Sequence, residues 1–161
     1  MSVDWLNWPA EDTNYKMKTK VVLVWVGIGG CSDRAYIKYL VDYLCRSEDN
    51  IDTRYICGVL HPRGAGNTEI TTPLLFDFLR MQDWRDSIDF CVRKLDSEKC
   101  LKGSYNLYGC GISIGANNLL NYCALKGKAS EFRGIISFNN PWDLQLAMSL
   151  MKGSIFERFM V

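Results

Sequence analysis

Five residues, Gly111-Ile112-Ser113-Ile114-Gly115, have the types and spacing of a nucleophile turn. A serine hydroxyl attacks a carbonyl when a sharp strand-to-helix turn presents it above a sheet. Glycines flank it because side chains there would strike the neighbouring strand and helix. Tyr105 to Cys110 reads as a buried strand leading into the turn, and Ile114 to Leu125 as an apolar helix leaving it. That helix would aim its free N–H groups and positive end at the serine. Acyl transfer also needs two backbone N–H donors facing the developing oxyanion. Ile114, directly after the serine, is the candidate for one. The loop Val26-Gly27-Ile28-Gly29-Gly30, after an earlier buried strand, offers Ile28 N–H as the other. A histidine often opens such a loop. Val26 stands in its place here, which removes hydrogen bonds that would fix the loop.

Other residues compete for roles at this site. His61 is the sole histidine of the chain, at the tip of the strand before His61-Pro62-Arg63-Gly64-Ala65-Gly66-Asn67, and reads as a loop residue rather than a base. Asp143, just past the last strong strand, is a candidate for the triad acid; a helix N-cap is the alternative. Asp83 reads as a structural partner of Arg63 or Arg85. Trp25, Trp84 and Trp142 read as core or pocket wall. The glycines also permit a dinucleotide turn, at Gly27-x-Gly29-Gly30 or Gly109-x-Gly111-x-x-x-Gly115. A nicotinamide or flavin would want an acid at the tip of the following strand, and Leu60-His61 and Phe138-Asn139 supply none, so no cofactor is expected. No metal site is expected either, because the seven cysteines are scattered and no C-x-x-C occurs.

The elements that must position these residues alternate strand and helix, which points to an α/β fold with a mostly parallel sheet. Strands are expected at Val3 to Trp8, Lys20 to Val26, Thr53 to Leu60, Tyr105 to Cys110 and Phe132 to Phe138. Helices are expected at Arg34 to Cys45, with Ser32 or Asp33 as N-cap, at Gln82 to Leu95, at Ile114 to Leu125 and at Trp142 to Met151. A polar turn at Glu11 to Asn14, a break at Gly153 and a short helical piece to Val161 complete the pattern. With 161 residues the chain has room for one domain. A net charge of +1 and no basic run argue against nucleic acid. The longest near-apolar run, Val21 to Cys31, is too short for a transmembrane segment, and no secretory signal is visible. Cysteines within apolar stretches fit a reducing, intracellular compartment, the cytoplasm first of all.

Several stretches, in order, resemble the AB-hydrolase group that contains the abhydrolase-domain proteins one to three and the yeast medium-chain ester synthase/esterases. Val3-Asp4-Trp5 is similar to its "LDW", Gly27 to Ser32 with Tyr36-Ile37 to "GlgGsS…YIr", and Arg63-Gly64-Ala65-Gly66 to "RGcg". Thr71-Thr72-Pro73 resembles "l-Tp", Gly111 to Asn117 "GfSLGgN", and Asn140 to Leu144 "NPfDl". The resemblance implies a partial α/β-hydrolase fold, with the four strong strands ordered second, first, third, fourth and helices on both faces. It implies a serine hydrolase of carboxylic esters or lipids such as acylglycerols and phospholipids. The family's triad acid and histidine lie beyond the matched region, so 1–161 reads as one C-terminally truncated core without the N-terminal anchor of eukaryotic members. Two consequences are expected: Phe132 to Phe138 is an open sheet edge, and the face covered only by Arg34 to Cys45 keeps an apolar patch. A protein partner or self-association covering that edge would follow.

Overall fold

The computed structural model describes residues 1–9, 18–46 and 53–151. Within them one sheet holds β1 (Ser2–Leu6), β2 (Lys18–Trp25), β3 (Thr53–His61), β4 (Tyr105–Ile112) and β5 (Phe132–Phe138). The helices are α1 (Ala35–Cys45), α2 (Met81–Ser97), α3 (Ile114–Lys126) and α4 (Leu144–Met151). The sheet order is β1-β3-β2-β4-β5, which places the four long strands as the resemblance implied. All neighbours pair in parallel except β1, which runs antiparallel to β3 with Ser2 opposite His61. The turn at residues 11–14, the break at residue 153 and the final helical piece lie outside the described residues.

The continuous apolar run of β2 is explained by burial on both faces. Val21, Leu23 and Trp25 enter one core with Ile56, Leu60 and Leu107, against Trp84, Ile88, Cys91 and Leu95 of α2 and Leu119 and Tyr122 of α3. The alternate residues Val22 and Val24, with Val26 just past the strand, meet Cys57, Val59 and Cys110, under Ile37 and Val41 of α1. Each such side chain contributes about 1.5–3 kcal/mol relative to exposure. The spacing of the buried α2 residues, every third or fourth, is what made that helix readable.

The two faces are covered unequally. On the α1 side, Ile136 and Phe138 of β5 remain 57% and 46% exposed, and Tyr39 and Tyr43 project from α1 into solvent. Among the described residues β5 pairs with β4 alone, so it is a sheet edge.

Several sequence expectations need correction. The first strand ends at Leu6, because Asn7 adopts a positive φ of 58° that leaves the extended region. Neither Ser32 nor Asp33 caps α1. Arg34 occupies the cap position without a side-chain cap bond, while the Ser32 hydroxyl donates to Asp4 Oδ2 (2.5 Å) and Asp33 lies 3.5 Å from Lys38 Nζ. The last described helix starts at Leu144, two residues later than expected, because Asp143 holds its N-terminus. Trp25 and Trp84 are core, but Trp142 is 80% exposed and belongs to no wall among the described residues.

Candidate active site

The parallel strands β2, β3, β4 and β5 all end on the same side of the sheet, the side on which α/β folds build their sites. Between β4 and α3 the chain reverses through Ser113, whose φ of 56° and ψ of −123° lie outside the regions ordinary side chains favour. The surroundings impose that conformation. A Cβ on Gly111 would lie 2.4 Å from Ala116 Cα, and one on Gly115 would lie 2.5 Å from the Val26 carbonyl oxygen and 2.6 Å from that of Trp25. Only glycine fits at either place, so strand, turn and helix can close to this distance. Hydrogen bonds complete the turn: Ser113 N–H donates to the Phe138 carbonyl (2.9 Å), and the Ala116 and Asn117 amides donate to the Ser113 carbonyl (2.9 and 3.2 Å).

The loop after β2 lies directly against this turn. A Cβ on Gly27 would sit 3.2 Å from Ser113 Cβ. The Gly30 amide closes the loop on the Gly27 carbonyl (3.0 Å), and Gly29 takes a φ of 64°. The Ile28 side chain is 62% exposed. Neither the Ile28 nor the Ile114 amide donates a hydrogen bond to another described residue. Two side chains that sequence reasoning did not assign to the site hold the loop. Arg34 donates from Nη2 and Nε to the Gly29 carbonyl (2.9 and 3.2 Å), and His61 Nε2 accepts the Ser32 amide (3.2 Å). The fixing bonds missing at Val26 are thus replaced by others whose partners lie further along the chain, where no motif marks them.

His61 is 1% exposed, with Asp4 Oδ2 3.4 Å from its Nε2. A Cβ on Gly66 would fall 2.0 Å from its Nδ1, so the ring fills the underside of the Arg63 loop. It sits on β3, separated from β4 by β2, roughly 10 Å across two strand spacings. The structure therefore does not bring it to Ser113.

Asp143 is exposed, and its Oδ1 accepts the Leu146 amide (2.8 Å) as the cap of α4. Nearby, Asn117 Nδ2 donates to the Pro141 carbonyl (3.2 Å) and ties α3 to the loop after β5. In that loop the Asn140 amide is enclosed, with neither its nitrogen nor its oxygen paired among the described residues. A break at Asn139-Asn140-Pro141 was legible in the sequence; an enclosed amide beside it was not.

The loop after β3 is organised by charge. Arg63 grips Asp83 with two bonds, Nε to Oδ2 (2.6 Å) and Nη2 to Oδ1 (2.7 Å), and donates from Nη1 to Thr72 Oγ1 (3.0 Å). The Arg63 guanidinium holds the Asp83 carboxyl below its ordinary range, against the opposing effect of burial. Between α2 and α3, the Asn118 amide, turned so that both its atoms are satisfied, donates to the Phe78 carbonyl (2.9 Å) and accepts from Trp84 Nε1 (3.3 Å), which anchors the far end of the same loop. No group of three or more metal-ligating side chains occurs among the described residues, and no described helix is long and apolar enough to cross a membrane.

The chain is 31% identical over 138 residues to medium-chain fatty acid ethyl ester synthase/esterase 2 of Saccharomyces cerevisiae, covering 86% of this chain and 28% of that protein. It is 27% identical over 124 residues to monoacylglycerol lipase of the same yeast, covering 77% of this chain and 25% of that one. The fold aligns with the crystal structure of a soluble variant of the yeast monoglyceride lipase at a TM-score of 0.57 and 20% identity, over 98% of this chain and 49% of that structure. The chain belongs to the α/β-hydrolase superfamily. It resembles the ester synthase/esterase and abhydrolase group within it. It spans about a quarter to a third of the length of the curated relatives it matches. No protein-family profile matches the sequence.

Proposed function

We propose that this α/β-hydrolase chain carries the nucleophile and oxyanion hole of a serine hydrolase acting on carboxylic esters or lipids of the acylglycerol or phospholipid kind. Ser113 is the nucleophile, and the Ile114 and Ile28 amides are the oxyanion donors. The observation that carries this reading is the backbone of Ser113, held at φ 56° and ψ −123° between two glycines that no other residue could replace. Strain of that kind costs about 1–3 kcal/mol and persists where a function requires it. The two amides supply the second element. They lie on adjoining turns, and neither donates to another described residue.

The chemistry follows from those groups. Ser113 Oγ bonds to the ester carbonyl carbon while its proton passes to a base. The oxygen that gains charge is stabilised by the two amides, an effect worth about 2.7–4 kcal/mol per donor in comparable sites. Collapse of the tetrahedral species expels the alcohol with a proton, and water then releases the acid from the acyl-serine. The chain's only imidazole, His61, lies two strands from the turn, so the base is a group other than His61. Asp143 is retained as the candidate acid because it sits past β5 on the same side of the sheet. A fluorophosphonate probe tests the proposal. Labelling is expected at Ser113 and lost in Ser113→Ala; a folded protein that takes no label at Ser113 overturns it.

A second reading has one observation in its favour. The β5 edge and the exposed Ile136 and Phe138 beside it suit a protein partner, either a second copy or another subunit. On this reading the chain is an inactive, hydrolase-derived interaction subunit. A well-folded monomer that binds no apolar dye would count against it. The free cysteines fit a reducing compartment, the cytoplasm first of all.

A further inference from the structure

Away from the nucleophile turn, two thiols meet across the α1 face of the sheet. Cys45 is the last residue of α1 and is half-buried; Cys57 lies in the middle of β3 and is fully enclosed. Their sulfurs are 3.7 Å apart, and twelve positions separate them in sequence. Neither belongs to the machinery assigned to Ser113. We propose that Cys45 and Cys57 form a site for a reversible disulfide, which fastens the C-terminal end of α1 to β3 when a low-molecular-weight disulfide is present as oxidant.

The geometry requires little movement. A disulfide has a sulfur–sulfur length of about 2.05 Å, so the two atoms must approach by somewhat less than 2 Å. Cys45 is the last residue of its helix. It is also the accessible member of the pair. The two thiols differ in acidity in the direction the reaction needs. The hydrogen bond between them holds the Cys45 thiol below its ordinary range, against burial, and Arg54 adds to this while Asp42 opposes it. The Cys57 thiol is pushed up, first by that same bond and then by burial. The accessible sulfur therefore ionises first, and the thiolate is the attacking form.

The steps balance with the named oxidant. The Cys45 thiolate attacks one sulfur of glutathione disulfide, forms a mixed disulfide and releases one glutathione thiolate. The Cys57 thiol then loses its proton and attacks the Cys45 sulfur. The Cys45–Cys57 bond forms and a second glutathione leaves. The protein gives up two electrons and two protons, and one glutathione disulfide becomes two thiols. Cys110 shares the same core and is the built-in competitor for either sulfur.

The test equilibrates the full chain in glutathione buffers from reducing to oxidising, quenches with acid and maps thiols by mass spectrometry. The expected product has lost about 2 Da, the two hydrogens of one disulfide. Five of the seven cysteines should still take an alkylating label, and one linked peptide pair should contain Cys45 and Cys57. Dithiothreitol should restore the remaining two, and Cys45→Ser should form no such link. Full labelling at the oxidising end overturns the proposal. So does a link between Cys57 and Cys110, or a mixed disulfide that persists on Cys45. Oxidation in urea separates fold from chain proximity: the pairing should scatter there, and the same single pair in urea would refute a folded-state site.

Discussion

Two glycine-rich turns stand side by side at the end of this sheet, and they are held in different ways. The turn after β4 is fixed by backbone against backbone: Gly111 faces Ala116 Cα, and Gly115 faces the carbonyls of Trp25 and Val26. The loop after β2 is closed by its own Gly30 and Arg34 amides and is close-packed at Gly30, and side chains hold it as well, Arg34 on the Gly29 carbonyl and His61 on the Ser32 amide. A steric lock tolerates no added atom but does not depend on pH. A polar lock fails when a partner is removed or titrated. The Arg63–Asp83 clamp after β3 is a third turn of the polar kind.

The sharpest way to break this comparison is Gly115→Ala. Its methyl would have to move two strand-end carbonyls, so a loss of about 3 kcal/mol in denaturant unfolding is expected, at the top of the overpacking range. A loss below about 1 kcal/mol would mean the turn is not sterically locked. A smaller effect is expected from Asp83→Asn, and it should depend on pH. Asp83 has a depressed carboxyl in the folded state, so its contribution is present above the unfolded value near pH 4 and is lost as pH falls below it. The stability gap between wild type and Asp83→Asn should therefore close on acidification, while the gap for Gly115→Ala stays constant.

Ser113→Gly sharpens the comparison from the other side. Glycine relieves the positive φ, and a gain of about 1 kcal/mol is expected, strain relief less the entropy of a freer unfolded chain. Loss of stability in that variant would show that Ser113 is not strained. The smallest change in stability is expected from Arg34→Met, whose side chain donates to the exposed Gly29 carbonyl. Its effect should appear as slower fluorophosphonate labelling at Ser113 with an unchanged unfolding midpoint. Equal labelling rates would remove Arg34 from any positioning role.

The same contrast explains what was legible in advance. The steric turn was written into Gly-x-Ser-x-Gly between an apolar strand and an apolar helix, because glycine marks close approach wherever it occurs. The strands β2, β3, β4 and β5 were legible because burial on both faces demands continuous apolar runs. Asp83 was readable as an arginine's partner, but the choice of Arg63 over Arg85 was not, since it depends on how the loop folds back.

The sequence alone determined the α/β alternation, the position of the Gly-x-Ser-x-Gly turn and the glycine loop beside it. Those follow from local periodicity and from the space glycine leaves. The tertiary structure alone decided that His61 holds that loop and that Cys45 meets Cys57. Each is a contact between elements whose distance along the chain carries no pattern. Only the order of strands across the sheet brings them together.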